Sequence, residues 1–152
     1  MDKRTIGILG LGVFGRSIIN TLRKYNCDII AVDDHEDVIN HFEPILARGV
    51  VGDITDHDLL QAAGIDTCDT VVVATGDNLE SSVLAVMHCK SLGVEKVIAK
   101  VKSKTTRKVL LKVGADRCIS PERETGISLA KNILHQATTD VIELDKNVAI
   151  VE

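Results

Sequence analysis

Six short runs rich in β-branched residues recur along the chain: TIGILG (5–10), CDIIAVD (27–33), GVVGD (49–53), DTVVVAT (69–75), KVIAKV (96–101) and DRCIS (116–120). Several are continuously apolar rather than alternating, which is how a strand reads when helices cover both faces of its sheet. Stretches of helical spacing separate them. Phe14, Ile18 and Leu22 fall on one stripe, and Leu79, Val83, Val86 and Met87 mark a second. Val109, Leu110 and Val113 form a third, and Ile127, Ala130, Ile133 and Leu134 a fourth. Regular alternation of strand and helix predicts an α/β fold with one doubly wound parallel sheet, right-handed crossovers and strand order 3-2-1-4-5-6.

Punctuation agrees with this division. Thr55 and Asn78 stand where the helices after strands three and four need N-caps. Gly93 and Gly114 follow helical stretches at the C′ position, and Pro121 after Ser120 opens the last helix. The final stretch, DVIELDKNVAIVE, reads as an extra strand or extended tail. A chain of 152 residues is the size of one domain and buries enough surface to need no disulfide or metal staple.

Composition narrows the function classes. A net charge of -4, from 18 basic and 22 acidic residues, disfavours a generic binder of phosphate backbones. Phe14, Tyr25 and Phe42 are the only aromatics, so the stacking platform of a single-strand nucleic-acid binder is missing. Cys27, Cys68, Cys89 and Cys118 form no C-x-x-C pair and read as small buried hydrophobes. The five histidines show no H-x-x-x-H spacing, so no metal site is expected from them. No apolar run approaches the ~20 residues of a membrane span, and the amino terminus turns polar too early for a secretory signal. A soluble, reducing, cytoplasmic setting is expected.

The chemistry concentrates in Gly10-Leu11-Gly12-Val13-Phe14-Gly15, a G-x-G-x-x-G between a strand and an amphipathic helix. Asp33 ends the next strand, eighteen residues beyond Gly15. In that context Gly10 permits a tight turn, Gly12 lets a phosphate approach the backbone, and Gly15 seats the helix against the strand. The helix N-terminus offers free N–H groups to phosphate oxygens. Asp33 would accept hydrogen bonds from ribose hydroxyls, and without a nearby Arg it favours NAD or an adenine nucleotide over NADP. Asp34 reads equally as a helix-capping acid. Three further strand ends converge on the same edge: Gly52-Asp53-Ile54-Thr55, Ala74-Thr75-Gly76-Asp77-Asn78 and Lys100-Val101-Lys102. Asp53 and Asp77 also sit where helix caps belong. Lys100 interrupts an apolar strand, and a buried lysine is costly unless it is paired or holds a ligand. Glu122 and Glu124 read as acids complementing the dipole of the last helix.

The ordered set GILGLGVFGRSIINTL, AVD, VVGDIT, VVVATGDN, VIAKV and LLKVGADRCISPERETG resembles the amino-terminal nucleotide-binding domain of the Trk/Ktr potassium-transport regulators, the KTN or RCK family. The resemblance covers roughly residues 4–137. It implies a Rossmann-fold cytosolic regulatory subunit, not an enzyme, peripheral to the inner face of the membrane through its partner. Such a subunit binds NAD(H) or ATP/ADP, forms a face-to-face homodimer, and builds an octameric ring beneath a membrane potassium channel or transporter. By position, the ligand contacts fall on Gly10–Gly15, on Asp33, Asp34 and His35, and on Asp53 and Ile54. Thr75, Gly76, Asp77, Lys100 and Lys102 complete the pocket. Glu122 matches a family acid near the phosphates that helps hold a cation, and the last helix resembles the element that crosses to the dimer partner.

Two departures stand out. Family members often carry Arg inside the glycine loop where this chain has Val13, with Arg16 three residues later, so strong discrimination for ATP is not expected. Residues 138–152 read as a tail toward a carboxyl-terminal domain, leaving a fragment and a minimal member as alternatives. The alternative function is the cofactor domain of a small NAD-dependent oxidoreductase. It is disfavoured because 152 residues hold no substrate domain. A redox-sensing transcriptional partner would need a basic DNA-binding helix, which the sequence lacks.

Overall fold

A computed structural model describes the backbone of residues 3–151 and the side chains through residue 137. Two compact units divide the chain, Met1–Ile119 and Ser120–Glu152. The expected domain limit at residue 137 falls inside the second. In the first unit, strands β1 (Arg4–Leu9), β2 (Cys27–Asp33), β3 (Arg48–Val51), β4 (Thr70–Val73), β5 (Lys96–Lys100) and β6 (Arg117–Ile119) alternate with helices. The helices are α1 (Val13–Leu22), α2 (Glu36–Phe42), α3 (His57–Ala62), α4 (Leu79–Ser91) and α5 (Lys104–Val113). All strand pairs are parallel, and their order is β3-β2-β1-β4-β5-β6, as the alternation of the sequence predicts.

The continuous apolar runs have the cause inferred for them. Alternate residues of each strand enter opposite cores. Leu9, Ile30, Val32, Val71 and Val73 join Leu60, Val86 and Leu110 in one cluster. Their neighbours Ile8, Ile29, Ala31 and Val72 join Ile19, Ile39 and Phe42 in the other. Helices α3, α4 and α5 cover the first face and α1 and α2 the second. The chain therefore turns to opposite faces after β1 and after β4, and a cleft opens between these adjacent strand ends.

Glycine matters most at two points of the β1–α1 turn. Gly10 has φ +95° and donates its N–H to the Val32 carbonyl at 2.9 Å. Gly15 sits so close that a Cβ there would overlap the Gly10 carbonyl oxygen. A Cβ on Gly12 would meet nothing within 4 Å.

Three local expectations shift. Asp56, not Thr55, caps α3, accepting from the Leu59 N–H at 3.2 Å. Asp53 has already taken Thr55, accepting from its N–H and its hydroxyl at 2.8 Å each, so the turn closes one residue early. Gly114 is the cap residue of α5 rather than the residue after it. Asn78 caps α4 and Gly93 follows its end with φ +85°, as expected. Helix α2, for which the sequence offers a capping acid but no helical stripe, is only seven residues long and buries Ile39 and Phe42; its N-cap is His35, not Asp34.

The second unit is the helix α6 (Pro121–Val151). The expected strand or tail at residues 138–152 is instead a continuation of this helix through Val151. Val141, Leu144, Val148 and Val151 satisfy a helical spacing as well as an alternating one, and neither Gly nor Pro follows Gly126 to stop the helix. Glu124 accepts from the Ser120 N–H at 2.7 Å, which satisfies a donor at the helix start beyond the dipole role expected of it.

All four cysteines are free; Cys68, Cys89 and Cys118 are buried and Cys27 is half-buried. Burial pushes the Cys68 and Cys89 thiols up to about 12. In the native protein at mild alkaline pH, a thiol-reactive disulfide should modify Cys27 first. Cys68, Cys89 and Cys118 should react only on unfolding; rapid native labelling of Cys89 would contradict this packing. In urea melts, Gly15→Ala should lose ~1–3 kcal/mol through overpacking. Gly12→Ala should lose under ~1 kcal/mol. Equal losses would mean the Gly10–Gly15 approach does not control the turn.

Candidate functional site

The cleft has two halves that share Gly10, Asp33, Asp34 and Thr75. One half, of about 400 Å³, lies against the glycine loop and reaches Arg16, His35, Asp77 and Lys100. The other, of about 160 Å³, is walled by Gly52, Asp53 and Ile54 after β3 and by Asn78 and Ser81 at the start of α4.

Asp33 organises the centre. It is 8% exposed at the end of β2, and its Oδ2 accepts from the Leu11 N–H of the glycine loop at 2.6 Å. Its Oδ1 accepts from the His35 N–H at 2.8 Å and lies 2.9 Å from the His35 Nδ1. Burial acts to raise the Asp33 pKa, but the hydrogen bonds from Leu11 and His35 outweigh it and hold the carboxyl below its ordinary range. His35 Nδ1 also lies 2.8 Å from Asp34 Oδ1. The hydrogen bond to Asp33, aided by the charge of Asp34, raises the His35 pKa. Three ligand-type side chains thus gather at this corner, which histidine spacing alone did not foreshadow. A carboxylate offers about four acceptor sites, so Asp33 keeps capacity for ligand hydroxyls while tied to the loop.

Helix α4 braces both strand-end loops. The Ser82 hydroxyl donates to the Thr75 carbonyl at 3.2 Å, and His88 Nε2 meets the Thr55 carbonyl at 2.8 Å. A carbonyl only accepts, so that nitrogen carries the proton. Lys102 Nζ lies 2.6 Å from Asp77 Oδ1, and this hydrogen bond lowers the Asp77 pKa. The Thr55 N–H and hydroxyl lower that of Asp53.

The sequence-predicted residues divide accordingly. Leu11, Gly12, His35, Asp77 and Lys100 line the larger half, Asp53 and Ile54 the smaller, and Gly10, Asp33, Asp34 and Thr75 both. Leu11 offers only backbone, because its side chain is in the core. Phe14 packs against that same core, Val13 is 85% exposed, and neither lines the cleft. Gly15 acts behind the loop, and Gly76 packs beside the Lys100 backbone. Lys102 lines neither half but pairs with Asp77, which lines the larger. Glu122 lies in the first turn of α6, in the other unit. Val38 and Ser81 were not anticipated. Ser81 could have been found from its place one turn into α4, where its N–H bonds Asn78. Val38 lies on α2, where the sequence shows no helical stripe.

The arrangement is suited to binding. Acids able to accept from hydroxyls line both halves. The larger half adds the glycine-loop backbone and two cations, Arg16 and Lys100, groups able to seat an anion.

The TrkA-N domain profile matches residues 6–121. "Ktr system potassium uptake protein C" of Bacillus subtilis is 35% identical over 150 residues, covering 99% of this chain and 68% of the relative. The TrkA-N domain of the inner membrane protein ybaL from Escherichia coli superposes with TM-score 0.77 at 14% identity, over 86% of this chain and 96% of that one. The GsuK channel bound to NAD superposes with TM-score 0.66 at 23% identity, over 78% of this chain and 21% of the channel chain. These two likenesses establish a shared fold.

The His35–Asp33 contact predicts a pH signature. Pairing favours protonated His35, so its share of stability is full below the ordinary 6.5 and is lost as pH rises through the raised folded value. The Asp33 share is present above the ordinary 3.8 and is lost as pH falls through its lowered folded value. NMR titration of the His35 ring should give a midpoint above 6.5 that drops in Asp33→Asn. An unchanged midpoint in that variant would refute the pairing.

Proposed function

The chain belongs to the TrkA-N domain family, and from that premise we propose that it is the nucleotide-binding regulatory domain of a potassium uptake system. The observation that carries this reading is Asp33. Its carboxylate is fixed by the Leu11 N–H at the mouth of the sheet, beside a glycine loop closed by the approach of Gly15 to Gly10. An adenine nucleotide, NAD(H) or ATP/ADP, matches this layout. Its ribose hydroxyls would meet Asp33, its base would lie along Ile54 and the Asp53 loop, and its phosphates would lie along Gly10–Gly12 toward Lys100. Asp34 and His35 support the ribose side, and Thr75 with Gly76 and Asp77 forms the opposite wall.

The likeness to a Ktr potassium uptake protein supports a partner in the membrane that conducts or transports potassium. No helix among the described residues is long and apolar enough to cross a membrane. In our reading the domain acts from the cytoplasmic side as a homodimer and, in the full assembly, as an octameric ring. The nucleotide is a signal rather than a substrate. It biases the assembly by its difference in affinity for two shapes, and a ligand binding both equally would shift nothing.

Calorimetric titration with NADH, ADP and ATP should show binding to the wild type. Asp33→Ala should weaken it by about ten- to a hundredfold, the scale of lost hydrogen bonds to a charged acceptor. NADH absorbance should stay constant throughout. Binding unaffected by Asp33→Ala, or steady oxidation of NADH with a carbonyl substrate, would refute this function.

A further inference from the structure

The charges of the cleft do not all cancel one another. His35 lies between Asp33 and Asp34, and Lys102 pairs with Asp77. Of the cations lining the larger half, Arg16 has no carboxylate partner among the described residues, and Lys100 forms no close ion pair there, although its charge acts on Asp77. The smaller half sets no cation against Asp33, Asp34 and Asp53, whereas the larger half sets Arg16, Lys100 and His35 against Asp33, Asp34 and Asp77. A ligand with a neutral end and an anionic end thus has one favourable orientation, its anion against Arg16 and Lys100.

The two cations are not equivalent. Lys100 presents a compact point charge on a flexible stem. Arg16 is held: its Nε donates to the Leu11 carbonyl oxygen at 2.8 Å, which fixes the guanidinium to the glycine loop. The other N–H groups of its planar fork make no hydrogen bond to the described residues. An anchored fork has lost part of its freedom already, so a planar or tetrahedral oxyanion gains its contacts at lower entropic cost. Arg16 is also the only cation of α1, and Val13, inside the loop, offers no charge. Asp37 is the competing acid, because it lines a second cavity with Arg16, yet no ion pair forms between them.

We propose that Arg16, outside the glycine motif, is the residue by which this site distinguishes a nucleotide carrying a diphosphate from the corresponding nucleoside. The inference rests on the nucleotide reading of the same cleft and adds to it the specificity-determining group. The Leu11 carbonyl positions the fork, Lys100 supplies the second charge, and Asp33 is left to read the ribose. Selectivity for phosphorylated ligands then resides in one exposed side chain whose loss leaves the core intact.

The test compares wild type, Arg16→Gln, Arg16→Lys and Asp33→Ala. ADP is titrated calorimetrically, and adenosine is measured by displacement of bound ADP. Arg16→Gln should weaken ADP by about ten- to a hundredfold, the scale of charged hydrogen bonds, and change adenosine by less than about twofold. Arg16→Lys should recover part of the ADP affinity, because the charge returns without the fork. Asp33→Ala should weaken ADP and adenosine together, which separates the ribose reading from the phosphate one. Equal loss of both ligands in Arg16→Gln, or unchanged ADP affinity there, would overturn the proposal while leaving the nucleotide site standing. Absence of binding by either ligand to the wild type would overturn both. An Asp37→Asn variant that binds ADP as wild type does would support the assignment. One that lost affinity as Arg16→Gln does would overturn it by placing the recognition at the second cavity.

Discussion

A parallel sheet must be covered on both faces, because its strands are joined by crossovers and both rows of side chains are apolar. Most of the molecule follows from that requirement. Leu9 and Ile8 are neighbours in β1 and enter different cores, and so do Val73 and Val72 in β4. Two cores require helices on two faces, and the chain supplies them by leaving β1 toward one face and β4 toward the other. The cleft is the geometric residue of that divergence. It exists because two adjacent strands send their helices apart, and any ligand placed there meets the carboxyl ends of the strands on either side.

Within the cleft the decisive group is a buried acid held by backbone. Asp33 bonds the loop after β1 from the end of β2, so the two neighbouring strand ends are linked through a charge-assisted hydrogen bond of 2.6 Å. The bond stabilises the carboxylate despite its burial and fixes the glycine loop against the sheet. The same loop is tightened from behind by the approach of Gly15 to Gly10. The binding surface is thus preorganised by two contacts that need no ligand, while helix α4 holds the facing loops through Ser82 and His88.

Much of this was legible in the residues themselves. The strand runs fell within a residue or two of the observed strands, because a two-sided core leaves an unmistakable run of Val and Ile. The glycine loop and Asp33 were legible because only one local geometry suits a G-x-G-x-x-G between strand and helix. Helix α2 showed no stripe because seven residues carry too little periodicity to rise above their neighbours. Thr55 was mistaken for a cap because a threonine and an aspartate in adjacent turns are chemically equivalent until one captures the other. The end of the chain misled for a related reason, since residues 138–152 hold an apolar pattern compatible with two periods.

Sequence alone determined the number and order of the strands, the two-faced core, the position of the cleft and the acid at its centre. These depend on local periodicity and on spacing along one chain, which the order of residues encodes directly. Tertiary structure decided which of the polar residues face each other. Asp77 meets Lys102 although 25 residues separate them. Val13 and Phe14 belong to the motif but turn away, one to solvent and one to the core. Arg16, outside the motif, turns in and is fixed by the Leu11 carbonyl. The physical reason is that a helix rotates each successive side chain by about 100°. Membership of a motif therefore does not settle direction, and the partner of a charge is chosen by distance in space.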